Sequence, residues 1–228
     1  MKKIFLFILA TLVFPNTWVG INSIDPKPMS MELIDSDIYQ TKINFKMDGF
    51  HLIPSSDPKK ISYTIKSENG ASLLEFGYPD LHRYSKSIII PDNAKTTINV
   101  LSYKYQDFEE LFIDPSKGNF SRDINPNDVP LQYGDIYKKN EFYPSTIAEL
   151  GAPYILRDLR GQTVSINPFQ YNPYTKTLRV YTEVEIEILS NGISSENSIE
   201  RQSDLIKLSS NYDEIYKEHF INYENDTR

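Results

Sequence analysis

The amino-acid sequence predicts an all-β, sandwich-like fold closed by a short C-terminal helix. Three observations carry that expectation. Apolar and polar residues alternate with period two at several places, the mark of strands with one buried and one wet face. Fourteen prolines and turn signals such as SENG, GYPD, PDNAK and LRGQ punctuate the chain at short intervals. Helical periodicity is confined to one stretch near the end.

The elements follow in chain order. Lys2 and Lys3 precede the apolar run IFLFILATLVF (4–14), which has the length of a signal-peptide core and is too short to span a bilayer. Pro15 and Asn16 break it, so residues 1–22 are read as a signal peptide cleaved between Val19 and Ser23 and are left out of the fold. SYTIKS (62–67) and KSIIIP (86–91) read as strands. TTINVLSYKY puts Ile98, Val100 and Ser102 on one face and Asn99, Leu101 and Tyr103 on the other. PSKGNFSRDINP (115–126) is a loop, because Pro115, Gly118 and Pro126 forbid regular structure. Within it, Arg122 stands between Ser121 and Asp123 as the only basic residue between Lys117 and Lys138.

QTVSINPFQY and TLRVYTEVEIEIL pair as a hairpin turned at NPYTK, with Pro168 demoting the first strand to an edge or a bulge. In the second strand Leu178, Val180, Thr182, Val184, Ile186 and Ile188 form the buried face. Gly161 in LRGQ marks a tight turn. NYDEIYKEHFINY is the helix, with Asn211 as N-cap and Glu214 as its reciprocal acid. Tyr212, Ile215, Tyr216, His219, Phe220 and Tyr223 form its core-facing stripe.

Composition narrows the function. The formal charge is −7, and −9 once Lys2 and Lys3 are lost with the leader, which argues against nucleic acid or an anionic membrane as partner. There is no cysteine, so disulfides, a thiol nucleophile and thiolate metal sites are excluded. His51, His82 and His219 lack ligand spacing and read as surface or packing residues. No metalloprotease, phosphate-loop or nucleophile-elbow motif is present. DINPND (123–128) fails as a calcium loop, since Pro126 interrupts it and Asp128 replaces the needed glycine, so its side chains read as turn-formers. On motifs the chain has no catalytic residue, metal site or cofactor and is not an enzyme.

Three stretches are more particular: GYPDLHRYSKSIIIPDNAK, PSKGNFSRDINPNDVPLQYGDIYKKNEFYP and PYILRDLRGQTVSINPFQYNPYTKTLRVYTEV. Together they resemble the N-terminal propeptide of gingipain-type secreted cysteine peptidases, from about Gly77 to Glu187 and again in YDEIYKEHFINY, while residues 23–76 carry little of the likeness. The resemblance implies three parts: a signal peptide (1–22), a β-rich propeptide domain (23–210), and a C-terminal helix with processing tail (211–228). It implies a partner, the cognate cysteine peptidase catalytic domain, in the same precursor or in trans. The propeptide would assist that domain's folding and cover its active site until both are exported through the periplasm to the exterior or cell surface.

By the same likeness Arg122, flanked by Lys117 and Asp123, occupies the position of a basic residue that enters the peptidase's specificity pocket. Arginine suits a pocket floored by a carboxylate, offering five donors in a rigid fork. Arg228 becomes the processing site, and Arg157 and Arg160 are competing basic candidates. The other reading is a stand-alone secreted β-sandwich binding or adhesin module, whose sixteen tyrosines supply stacking platforms.

Overall fold

The computed structural model describes residues 17–55, 61–201 and 210–225. Among them the chain forms β1 (Thr17–Gly20), β2 (Ser30–Ser36), β3 (Gln40–Lys46), β4 (Gly49–Pro54), β5 (Tyr63–Lys66), β6 (Ala71–Ser72) and β7 (His82–Ile89). There follow β8 (Ala94–Phe108), β9 (Ala148–Leu150), β10 (Tyr154–Leu156), β11 (Leu159–Ile166), β12 (Phe169–Asn172), β13 (Thr177–Ile193) and the single helix α1 (Asp213–His219). All named strand pairs are antiparallel.

Two five-stranded sheets supply the faces that pack on each other. In one, β13 carries β12 and β3 along one side and β8 along the other, with β2 outside β3. In the other, β11 lies between β7 and the pair β9 and β10. A three-stranded sheet, β1-β4-β5, adjoins them. Sequence alternation explains the core. Leu178, Val180, Val184, Ile186 and Ile188 of β13 and Ile43 and Phe45 of β3 are buried against Tyr84 and Ile88 of β7 and Val164 and Ile166 of β11. Phe45 and Tyr84 meet with ring centroids 6.1 Å apart. Phe50 of β4 packs edge-on against Phe108 and Phe169. The expected all-β architecture with one short C-terminal helix is what the chain adopts.

Five details differ from the sequence reading, each for a physical reason. Residues 17–20, left out with the leader, form β1 on β4: Trp18 lies on Gly49, where any Cβ would stand 2.5 Å from the indole, and its Nε1 donates to the Ser23 carbonyl at 3.1 Å. Residues 1–16 and Arg228 lie outside the described residues. The expected strand QTVSINPFQY is two strands in two sheets. Pro168 has no N–H to continue the ladder, Asn167 Nδ2 donates to the Thr146 carbonyl, and the chain changes sheets there.

Gly161 is inside β11 rather than in a turn, because the rings of Phe220 and Tyr154 press on its Cα. The turn lies at Arg157, which adopts φ +54. The helix begins after Asn211, with Tyr212 in the cap position and no side-chain cap. Its core stripe is Tyr216 and Phe220, flanked by Tyr212 and Tyr223, while Ile215 is exposed. β8, expected to bury one face, is exposed on both over most of its length because, among the described residues, no second sheet covers most of this edge.

Arg160 joins the two sheets. It is wholly buried, and its guanidinium donates to the carbonyls of Pro91, Ala94, Glu196 and Asn197 at 2.8–3.0 Å. No carboxylate lies within ion-pair distance of it among the described residues. Arg160→Ala removes the guanidinium donors from those carbonyls, leaving Pro91 O only a 3.4 Å bond from Ala94 N, so a loss of about 3–5 kcal/mol is expected. A fall in the urea midpoint at unchanged slope would show it.

Candidate functional site

The loop at 115–126 is built from a locked base and an exposed tip. The chain leaving β8 is first fixed at Leu111 and Ile113. The buried Tyr171 hydroxyl donates to the Leu111 carbonyl at 2.8 Å and accepts from the Ile113 amide at 3.4 Å. Tyr137 Oη donates to the Ile113 carbonyl at 2.8 Å. Asp114 and Ser116 are buried. Backbone bonds join this leg to its neighbours: Asp114 N to Tyr63 O, Asp80 N to Asp114 O, and Ser116 N to Tyr78 O, at 2.7–2.9 Å.

The segment at residues 74–78, with its turn closed by Tyr78 N donating to Glu75 O at 3.2 Å, is a wedge between the two legs of the loop. Gly77 N donates to Ser116 O on the outgoing leg at 3.0 Å, and Gly77 O accepts from Gly134 N on the returning leg at 2.9 Å. Gly77 has φ +80, a conformation in which glycine is unstrained. Higher up, Lys117 Nζ donates to the Pro126 carbonyl at 2.8 Å and ties the loop across its neck. Gly118 also takes φ +80, beneath Phe76. At the tip Ile124 N donates to Ser121 O at 3.1 Å, closing a β-turn with Arg122 and Asp123 at its corners. Asn125 Oδ1 accepts from Asn127 N at 3.1 Å and starts a short 3-10 turn at Pro126–Asp128. The DINPND side chains are turn-formers, as the sequence reads.

The three loop residues singled out from sequence therefore have different settings. Arg122 is exposed and, among the described residues, its guanidinium has no hydrogen bond or ion pair. Asp123 is bonded by the Ser121 hydroxyl, which holds its carboxyl below the usual carboxylate range. Lys117 is occupied internally. Of the competing arginines, Arg160 is buried, and Arg157 stacks 3.9 Å over the Tyr212 ring and pairs with Asp158. Arg157 is exposed too but engaged by that ring and carboxylate, so Arg122 alone of the three is exposed without a partner among the described residues.

Sequence reasoning did not single out the group beneath the loop. Asp80 lies at the base with Asp114, and one of its carboxylate oxygens is buried without a hydrogen-bond partner. Burial pushes Asp80 up to about 6, with Lys66 opposing and Asp114 reinforcing the shift. His82 nearby accepts from Ser67, and burial together with Lys66 pulls it down to about 4. His51 stacks near Trp18 and contacts Glu68, and His219 meets Tyr154 Oη, so the histidines sit in separate places. The GYPD signal shows a turn at Asp80 but cannot show that Asp114 comes to face it.

Comparison with known proteins adds to this geometry. The family model Propeptide_C25 matches residues 25–228. The chain is 33% identical over 230 residues to Gingipain R2 of Porphyromonas gingivalis, covering 98% of this chain and 31% of that protein. It thus spans about a third of this curated relative. A solved complex of the RgpB pro- and mature domains of Porphyromonas gingivalis contains a chain that superposes with TM-score 0.77 at 34% identity, covering 85% of this chain and 97% of that one. A structure bearing on the zymogenic latency of gingipain K from the same organism superposes with TM-score 0.65 at 18% identity, over 78% of this chain and 99% of that one, a likeness of fold.

Asp80 sets a pH dependence whose sign is fixed. Its folded value lies above the ordinary 3.8, so its contribution is fully present below that value and is lost as pH rises through about 6. Asp80→Asn removes the penalty of ionising there. The variant should exceed the parent's unfolding free energy by about 3 kcal/mol at pH 8, with the gap closing toward pH 4. Urea titrations at the two pH values test this.

Proposed function

The chain belongs to the Propeptide_C25 family, and from that premise we propose that it is the propeptide of a secreted gingipain-like cysteine endopeptidase, inhibiting the active site and assisting folding. The observation that carries the reading is Arg122: a guanidinium without a partner among the described residues, at the corner of a β-turn, on a loop whose legs and neck are hydrogen-bonded in place. Similarity to a pro-domain solved with its mature domain supports a peptidase catalytic domain as the partner.

Inhibition follows from two properties of the loop. An arginine in a carboxylate-floored pocket makes charge-assisted hydrogen bonds worth about 1.5–3 kcal/mol. A loop already held in its docked shape loses less conformational entropy on binding than a free peptide. The same rigidity opposes the extended geometry that cleavage requires, so Arg122 occupies the pocket as a poor substrate. Asp123, bonded to Ser121, leaves Arg122 free to enter, and Lys117 braces the neck rather than competing for the pocket.

Folding assistance rests on the domain being able to form its own core and to offer one fixed surface to a catalytic domain still acquiring structure. Cleavage after Arg228 would release the inhibitor, and a signal peptide at 1–22 would direct export before that step. The absence of cysteine from the chain fits a propeptide and leaves the nucleophile to the peptidase domain.

The test is inhibition of an Arg-specific cysteine peptidase of this family on a small arginyl substrate. Arg122→Ala should weaken inhibition tenfold or more, about 1.4 kcal/mol, with the thermal midpoint unchanged. Arg122→Lys should fall between, since it keeps the charge and loses the fork. Equal potency of all three proteins would remove Arg122 from the role.

A further inference from the structure

Beside Arg122 the molecule shows apolar side chains to solvent on a backbone that is strained to do so. Leu74 has φ +56, a conformation that side-chain-bearing residues adopt at a cost, yet it is 48% exposed. Phe76, two residues on, is 55% exposed and lies over Gly118. Ile124, on the far side of the Arg122 turn, is 43% exposed. Leu74, Ile124, Pro126 and Leu131 line, together with Arg122, one open groove of about 560 Å³.

The turn is pinned from several sides. Leu73 N donates to Leu81 O, Tyr143 Oη donates to Glu75 at 2.7 Å, and Gly77 is bonded to both loop legs. Nothing in its own fold requires apolar residues at the exposed tip, because the pinning is done by backbone groups and by Glu75.

We propose that Leu74 and Phe76, with Ile124, form a second docking surface for the peptidase domain: an apolar pad that seats on an apolar rim beside the specificity pocket. This rests on the reading of Arg122 given above. The occupant follows from continuity. Leu74 and Ile124 line the same groove as Arg122, so a body that takes in the guanidinium must cover them. Apolar contacts around a central charged anchor exclude water from it and strengthen its hydrogen bonds. A pad built on a wedge that also sets the spacing of the loop legs keeps pad and arginine in one rigid register, which lowers the entropy of docking.

Leu74→Gly, Phe76→Ser, Phe76→Leu and Arg122→Ala test it together, by thermal midpoint and by inhibition constant against the Arg-specific peptidase. Glycine is at ease at φ +56, so Leu74→Gly should keep or raise the midpoint while weakening inhibition fivefold or more. Phe76→Ser should weaken inhibition similarly, and Phe76→Leu should restore most of it. Inhibition constants of Leu74→Gly and Phe76→Ser within twofold of the parent would overturn the pad, and with Arg122→Ala impaired they would leave the arginine reading standing. Weakening by the pad variants with Arg122→Ala harmless would support the pad and remove the arginine. A midpoint that falls in step with inhibition in Leu74→Gly would mark a structural role and overturn the proposal.

Discussion

The structure depends on a charge kept in its interior. Arg160 sits on β11, in one sheet, and its donors reach the carbonyls of Pro91 and Ala94 at the start of β8 and of Glu196 and Asn197 beyond β13, in the other. Pro91, Glu196 and Asn197 lie outside the strands, and Ala94 is the first residue of β8. A guanidinium is the side chain with enough donors, in a spread wide enough, to serve all four. Desolvating it is expensive, and the four hydrogen bonds it donates offset that expense. Gln162, two residues along the same strand, continues the tie: it accepts from Thr96 Oγ1 at 2.6 Å and donates to Gly151 O at 2.8 Å.

From this anchored end β8 runs for fifteen residues to Phe108, roughly 50 Å at the rise of an extended strand, before the chain turns into the loop. The Arg160 clamp and the Arg122 loop therefore stand at opposite ends of one long element. The tyrosines serve the second end. Tyr171 and Tyr137 spend their hydroxyls on the backbone at Leu111 and Ile113, and Tyr133 Oη donates to Asp114 at 3.3 Å. That usage weakens the stacking-platform reading of the aromatic content, because these rings are part of the scaffold. Tyr103, Tyr105 and Tyr181 do cluster on the open sheet, but Arg179 already covers the Tyr105 ring at 4.2 Å and pairs with Asp107.

What could be read from sequence was what local periodicity encodes. The alternation in β13 survives a register shift near Thr182 with its apolar face intact. Pro115, Gly118 and Pro126 marked the loop, and the resemblance picked Arg122 from it. What stayed hidden depends on partners far apart in the chain. Arg157 and Arg160 look alike in RDLRGQ, yet one stacks on Tyr212 and the other is entombed. Asp80 and Asp114 are separated by the whole of β7 and β8, so their meeting under the loop has no local signature. Gly161 misled for a related reason: its freedom from a side chain serves the packing of Phe220 and Tyr154, and no turn needs it.

The seating of Trp18 on Gly49 has a practical corollary. It is the one indole in the chain, and it sits on the first strand, 5.1 Å from the His51 ring. Intrinsic fluorescence therefore reports whether the N-terminal strand is docked, while far-ultraviolet ellipticity reports the sheets behind it. Coincident curves from the two signals would mean that this strand melts with the whole domain. An earlier optical transition would mean that the N-terminal edge peels away while the end bearing the Arg122 loop remains intact.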